Sequence, residues 1–197
     1  MSAAIRLPYV SVALAGCALA ALALPEGLQD ALALSRAPLT GGALWQLWSG
    51  HLMHFGATHA LTDLLALCCA AVLVEADLGS RRTLLLYFGA APLISLTTLL
   101  AAPHLVAYRG ASALAVTLCF AAAERLWRDR HLRAPLLLIA AAFTAKLACD
   151  AWGLQTDLSG LPAGIAVAWQ AHVAGAVIGL ILALIPQVRR RAPNATA

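Results

Sequence analysis

Six apolar runs, each closed by arginine, glycine or proline, leave this chain one class of fold. A run of roughly 20 residues with few charges can cross lipid only when its own backbone satisfies every N–H and C=O, which in an open chain means an α-helix. The runs cover residues 7–24, 54–75, 83–102, 112–127, 135–152 and 163–186. With 62% hydrophobic and 11% charged residues, and a mean hydropathy of +0.83, the composition lies outside the soluble range of ~45–50% apolar and ~25% charged. The expectation is an all-α membrane protein: one six-helix transmembrane domain spanning 1–197. The first run follows Arg6 and ends among Ala-x-Ala triplets, as a signal peptide would, but more membrane follows it, so it reads as a span.

Charge sets the orientation. Placing both termini in the cytoplasm puts Arg6, Arg81, Arg82, Arg125, Arg128, Arg130, Arg133, Arg189, Arg190 and Arg191 inside, ten of the 13 Lys and Arg residues. Arg36, Arg109 and Lys146 remain. The net charge of +4 has no aromatic-interleaved basic face, so a nucleic-acid partner is not expected. All five cysteines fall within apolar segments without paired loop spacing and read as small hydrophobes, not disulfides. Residues 25–50, with Trp45 and Trp48, read as a loop lying in the outer interface.

The fourth run is too short for its task. From Ser112 to Trp127 a helix reaches ~22 Å against a hydrocarbon core of ~30 Å. It therefore begins below the outer surface, after the polar approach Tyr108-Arg109-Gly110-Ala111. Counted from the inner end of each span at ~1.5 Å per residue, Ser112 and His172 share a level of ~21–22 Å. His59 and Asp63 bracket it at ~24 and ~18 Å, while Lys146 and Asp150 stand near ~17 and ~22 Å. Polar groups from four spans thus converge on one layer, and ionisable groups inside a membrane mostly mark function.

Each residue also has a plainer reading. A lone serine in a membrane helix usually bonds back one turn, and Lys146 with Asp150, four apart on one helix face, form an internal ion pair that neutralises itself. The conjunction at one depth favours chemistry. A serine hydroxyl becomes a nucleophile when a histidine on a facing helix removes its proton, and that histidine can then protonate the leaving amine. Gly110 permits a sharp turn before the serine. On the last span His172, Gly175 and Gly179 lie along one side, a small-residue face that lets two helices approach closely.

These residues resemble the rhomboid intramembrane serine proteases. Gly110-Ala-Ser112 matches the Gly-x-Ser nucleophile motif, Ala171-His172-x-x-Gly175-x-x-x-Gly179 the histidine helix, and His54-Phe-Gly-Ala-Thr-His59-Ala-Leu-Thr-Asp63 the second-helix motif. The resemblance covers the six-helix core. With Ser49-Gly50-His51-Leu-Met-His54 and Lys146-x-x-x-Asp150, the chain is most similar to the rhombosortase branch. The resemblance implies Ser112 as nucleophile, His172 as base and acid, and His59 as an oxyanion donor beside the Ser112 amide. It implies supporting roles for His54, Gly175, Gly179, Lys146 and Asp150, and needs no cofactor or metal. Implied substrates are exported transmembrane proteins with a C-terminal Gly-Gly-type motif, a membrane helix and a basic tail. The implied setting is a bacterial inner membrane, with the site open to the periplasm.

Two positions depart from the pattern. Ala113 stands where the family often has Gly, one methyl that is expected to loosen helix packing. Asp63 replaces the usual Asn donor; either it is protonated and donates, or it pairs with His59 or His51. Two other classes stay open. One is a catalytically silent rhomboid-like binding protein; the other is a membrane protein binding metal through His51, His54, His59 and Asp63.

Overall fold

The computed structural model describes residues 7–154 and 159–184. The described residues form α1 (Tyr9–Ala21), α2 (Glu26–Leu32), α3 (Arg36–Thr40), α4 (Gln46–Ser49), α5 (Ala57–Leu78), α6 (Ser80–Ala101), α7 (Ser112–Trp127), α8 (Arg133–Ala151) and α9 (Trp169–Leu184). Among them no strand is present beyond one isolated antiparallel bridge, Leu34 with Tyr108. Helices Ala57–Ala76, Ser80–Ala101 and Arg133–Ala151 are long and apolar enough to cross a membrane; Tyr9–Ala21 and Trp169–Leu184 are shorter apolar helices. Of the residues assigned to the cytoplasmic side, Arg6, Arg189, Arg190 and Arg191 lie outside the described residues, as does Pro186.

Two segments differ from what the sequence predicts. The 25–50 segment is not a plain loop, because α2, α3 and α4 lie within it. Pro25 precedes α2, where its missing N–H costs nothing, and Glu26 sits in the positive first turn. The last helix begins at Trp169, not near 163, because Pro162 and Gly164 (φ +83) hold the preceding residues in an irregular path.

Two local arrangements explain how the bundle stays closed. Pro92 lies inside α6 and cannot donate to Phe88, four residues earlier, so the Phe88 carbonyl is left free. The Trp48 indole N–H takes that carbonyl at 2.8 Å while its ring stacks on Phe88. At the other end of the bundle, Glu75 near the end of α5 accepts the backbone N–H groups of Val10 (2.8 Å) and Ser11 (3.1 Å) and the Ser11 hydroxyl (2.9 Å). A carboxylate from one helix thereby caps the exposed donors at the start of another. It also fixes α1 and α5 as antiparallel neighbours.

Helix α7 lies between α5 and α9. Its core-facing Ala113, Ala115, Thr117 and Leu118 are almost fully buried. Outermost is α8, whose one buried residue is Asp150.

Candidate active site

The approach to α7 is held at both ends of a short extended stretch. Tyr108 exchanges two backbone hydrogen bonds with Leu34, at 2.8 and 3.1 Å, and the Gly110 N–H donates to the Gly50 carbonyl at 3.2 Å. Gly110 then takes φ +137, a conformation that side chains other than glycine's rarely adopt. Space forbids a substituent there as well, since a Cβ would stand 2.7 Å from Asp63 Oδ2 and 3.3 Å from the His59 ring. The turn delivers Ser112 as the first residue of α7.

His172, on the first turn of α9, places its Nε2 3.0 Å from Ser112 Oγ. The approach of the two helices follows from Gly175 and Gly179. A Cβ on Gly175 would stand 2.4 Å from the Ala113 carbonyl oxygen, and one on Gly179 2.5 Å from that of Thr117. Ala113, expected to loosen helix packing by its extra methyl, is completely buried, and its carbonyl oxygen forms part of this close contact.

Asp63 Oδ2 accepts the backbone N–H of Ser112 at 3.1 Å. The same oxygen lies 3.4 Å from His59 Nε2 and 3.5 Å from His54 Nε2. Of the two pairings left open by the sequence, His59 is therefore close to Asp63. His51 is turned away: its Nε2–H donates to the Ala91 carbonyl at 3.1 Å, with Ser95 Oγ also at 3.1 Å, and its Nδ1 lies 3.4 Å from the Tyr108 hydroxyl. Burial pushes the His51 imidazole down to about 4, so the ring is neutral in the folded protein. Burial likewise pushes the Tyr108 phenol up. With His51 committed elsewhere, the four-ligand metal set does not assemble. No group of three or more His, Cys, Asp or Glu side chains among the described residues has the geometry to hold a metal ion.

Ser112, His172, His59, Asp63 and Lys146 open onto one cavity of about 190 Å³. The Lys146 ammonium pairs with Asp150 at 2.5 Å, leaving Asp150 Oδ1 buried without a hydrogen-bond partner. Several lining residues escaped the sequence reading. Phe55 carries the Arg109 guanidinium over its ring, 5.1 Å from the centroid, and Arg109 is ion-paired with Asp30. Thr62 Oγ1, whose hydrogen has the His59 carbonyl at 2.9 Å as its nearest acceptor, also lies 3.3 Å from the Ser159 carbonyl, which brings the α8–α9 connection against α5. Gly160 belongs to the same contact, since a Cβ there would stand 2.8 Å from the Thr58 carbonyl. That glycine, in a short polar stretch, was the one available signal for the contact.

The arrangement supplies a hydroxyl in hydrogen-bond contact with an imidazole, backbone and imidazole N–H groups beside it, and a cavity that can take a peptide carbonyl. No curated protein matches the chain. A family model for the rhomboid domain matches residues 41–187, a stretch that contains every one of these groups. The match covers well over half of the sequence, and with its apolar helices the chain is an integral membrane protein that belongs to the rhomboid family of intramembrane proteases.

Proposed function

We propose that this chain is an intramembrane serine endopeptidase with a Ser112–His172 dyad. The observation that carries the reading is the 3.0 Å contact between His172 Nε2 and Ser112 Oγ, made across α7 and α9. As Oγ attacks a substrate carbonyl, its proton passes to Nε2 and the carbonyl π pair becomes an oxyanion. The Ser112 amide and His59 donate to that oxygen. Collapse breaks the C–N bond, His172 returns the proton to the leaving amine, and water then releases the acyl group by the same steps.

The His59 proton is on the correct atom for this role. Its Nδ1 accepts the Phe55 backbone N–H at 3.3 Å, so in the neutral ring the hydrogen resides on Nε2, the side facing Asp63 and the cavity.

The reading extends to six spans in one domain, both termini in the cytoplasm, and a site open to the periplasmic side of a bacterial inner membrane. Ser112 sits at the bundle end opposite the Arg125–Arg133 turn, and the positive-inside rule places that turn in the cytoplasm. Substrates are then membrane-anchored proteins cut near the outer end of their helix. The rhombosortase-like motifs narrow these to exported proteins with a Gly-Gly-type tail, a C-terminal helix and a basic cluster.

A catalytically silent rhomboid-like binding protein is the second reading, favoured by Asp63, whose carboxylate oxygen occupies the amide that an oxyanion would need. A fluorophosphonate probe separates the two. The protease reading expects covalent labelling on the Ser112 peptide and its loss in His172→Ala; an unlabelled, folded protein supports the silent one.

A further inference from the structure

Three nitrogens surround Asp63 Oδ2, and two of them carry hydrogen by necessity. The Ser112 amide at 3.1 Å is one; His59 Nε2 at 3.4 Å is the other, because its Nδ1 is an acceptor. The third is different. His54 Nδ1 lies 3.2 Å from the Leu52 carbonyl, which can only accept, so the ring hydrogen is on Nδ1. In a neutral His54 the Nε2 is then unprotonated; it is fully buried, lies 3.5 Å from Asp63 Oδ2 and has no hydrogen-bond partner. Two buried acceptors face each other, an arrangement that one added proton turns into a hydrogen bond.

Resting on the serine-protease reading above, we infer that His54 and Asp63 hold one shared proton, which Asp63 uses as a carboxylic-acid donor to the oxyanion. In the free protein Asp63 Oδ2 fills the position beside the Ser112 amide, standing in for the oxyanion. An arriving carbonyl oxygen displaces it from that amide. As Oγ–C forms and the Oγ proton moves to His172, the new oxyanion accepts from the Ser112 N–H, from His59 Nε2–H and from the Asp63 O–H. The last proton is drawn from the His54 side. When the C–N bond breaks, the carbonyl re-forms and the proton returns to its place between His54 and Asp63, so the pair gains and loses nothing over a turnover. Without this proton an anionic carboxylate faces an anionic oxygen, and the step is opposed.

Near Asp63 stand also Tyr108 and His51, behind Gly110 with the His51 ring turned toward α6, His172 from α9, and Lys146 of α8, which lines the same cavity and is paired with Asp150. His172 must be unprotonated to act as base, so it governs the acid side of the pH profile. Loss of the shared proton governs the alkaline side.

The test is kcat/KM against pH, measured in vesicles on a tagged single-span protein carrying Gly-Gly before its membrane helix. The unmodified protein is expected to lose about tenfold per pH unit above its alkaline midpoint. Asp63→Asn donates without a proton to lose; its alkaline limb disappears, and two units above that midpoint it outruns the unmodified protein by at least about tenfold. His54→Gln leaves Asp63 ionised and falls by about 10²–10³-fold, the cost of losing an oxyanion donor, and adding Asp63→Asn recovers most of that loss. Such a recovery is a gain that misfolding cannot imitate. An unchanged alkaline limb in Asp63→Asn, an inactive Asp63→Asn that unfolds at the normal temperature, or no recovery in the double variant overturns the shared proton. Continued cleavage by Ser112→Ala overturns the dyad instead.

Discussion

Gly175 lies so close to the Ala113 carbonyl that a Cβ on it would stand 2.4 Å from the oxygen. This contact is one turn below the Ser112–His172 pair and sets the distance across it. Gly175→Ala must push α9 from α7, lengthening the 3.0 Å hydrogen bond. The expected result is a loss of cleavage of at least about 10²-fold, since misplacement by about 1 Å costs that much. A thermal unfolding scan in detergent should show destabilisation of about 1–3 kcal/mol, the usual range for overpacking. Full activity in this variant contradicts the geometry.

Ser112→Ala and His172→Ala should each lower cleavage by at least about 10³-fold while leaving the protein folded and inserted, because dyad members act as a unit. Both side chains are only partly buried, so little packing is lost. Equal losses in the single and double variants, by rate measurement on one substrate, are the expected signature.

Lys146 and Asp150 are unequal partners, with side-chain exposures of 31% and 0%. Removing the lysine strands the more buried charge, so Lys146→Met is expected to cost more stability than Asp150→Leu. It should approach the ~3 kcal/mol lower figure for breaking a buried pair, and the double variant should recover most of it. A double-mutant cycle on unfolding midpoints measures this. A double variant that is fully stable but no longer cleaves assigns the pair to the substrate instead.

His51 gives a pH dependence of stability. The folded imidazole is held near 4 by burial, against 6.5 in an unfolded chain, so the folded state binds fewer protons. Stability from this group is complete above pH 6.5 and is lost as pH falls toward 4, by up to about 3 kcal/mol. Unfolding midpoints at pH 7 and pH 4.5 should show the loss, and His51→Gln should flatten it. A midpoint that rises on acidification contradicts the assignment.

How much was legible in the chain depended on whether a signal was local. The start of α7 at Ser112 was readable because a glycine-bearing polar approach meets an apolar run there, and the helix begins at that residue. The start of α9 was not, because Ile165, Ala166 and Val167 are apolar without being helical. The Lys146–Asp150 contact followed from its i,i+4 spacing. Long-range partners carried no such mark. His51 is held by Ala91 and Ser95 of α6, and His54, ahead of α5, stands 3.5 Å from Asp63 within it; neither arrangement leaves a periodicity to detect.

The most direct test of the central claim is mass spectrometry of the product ends. A membrane-anchored protein with a Gly-Gly-type tail would be reconstituted with this protein or with its Ser112→Ala form. The account predicts a single new C-terminus at the outer end of the substrate helix, produced only when Ser112 is present. A cut on the cytoplasmic side of the helix, or the same product from Ser112→Ala, contradicts it.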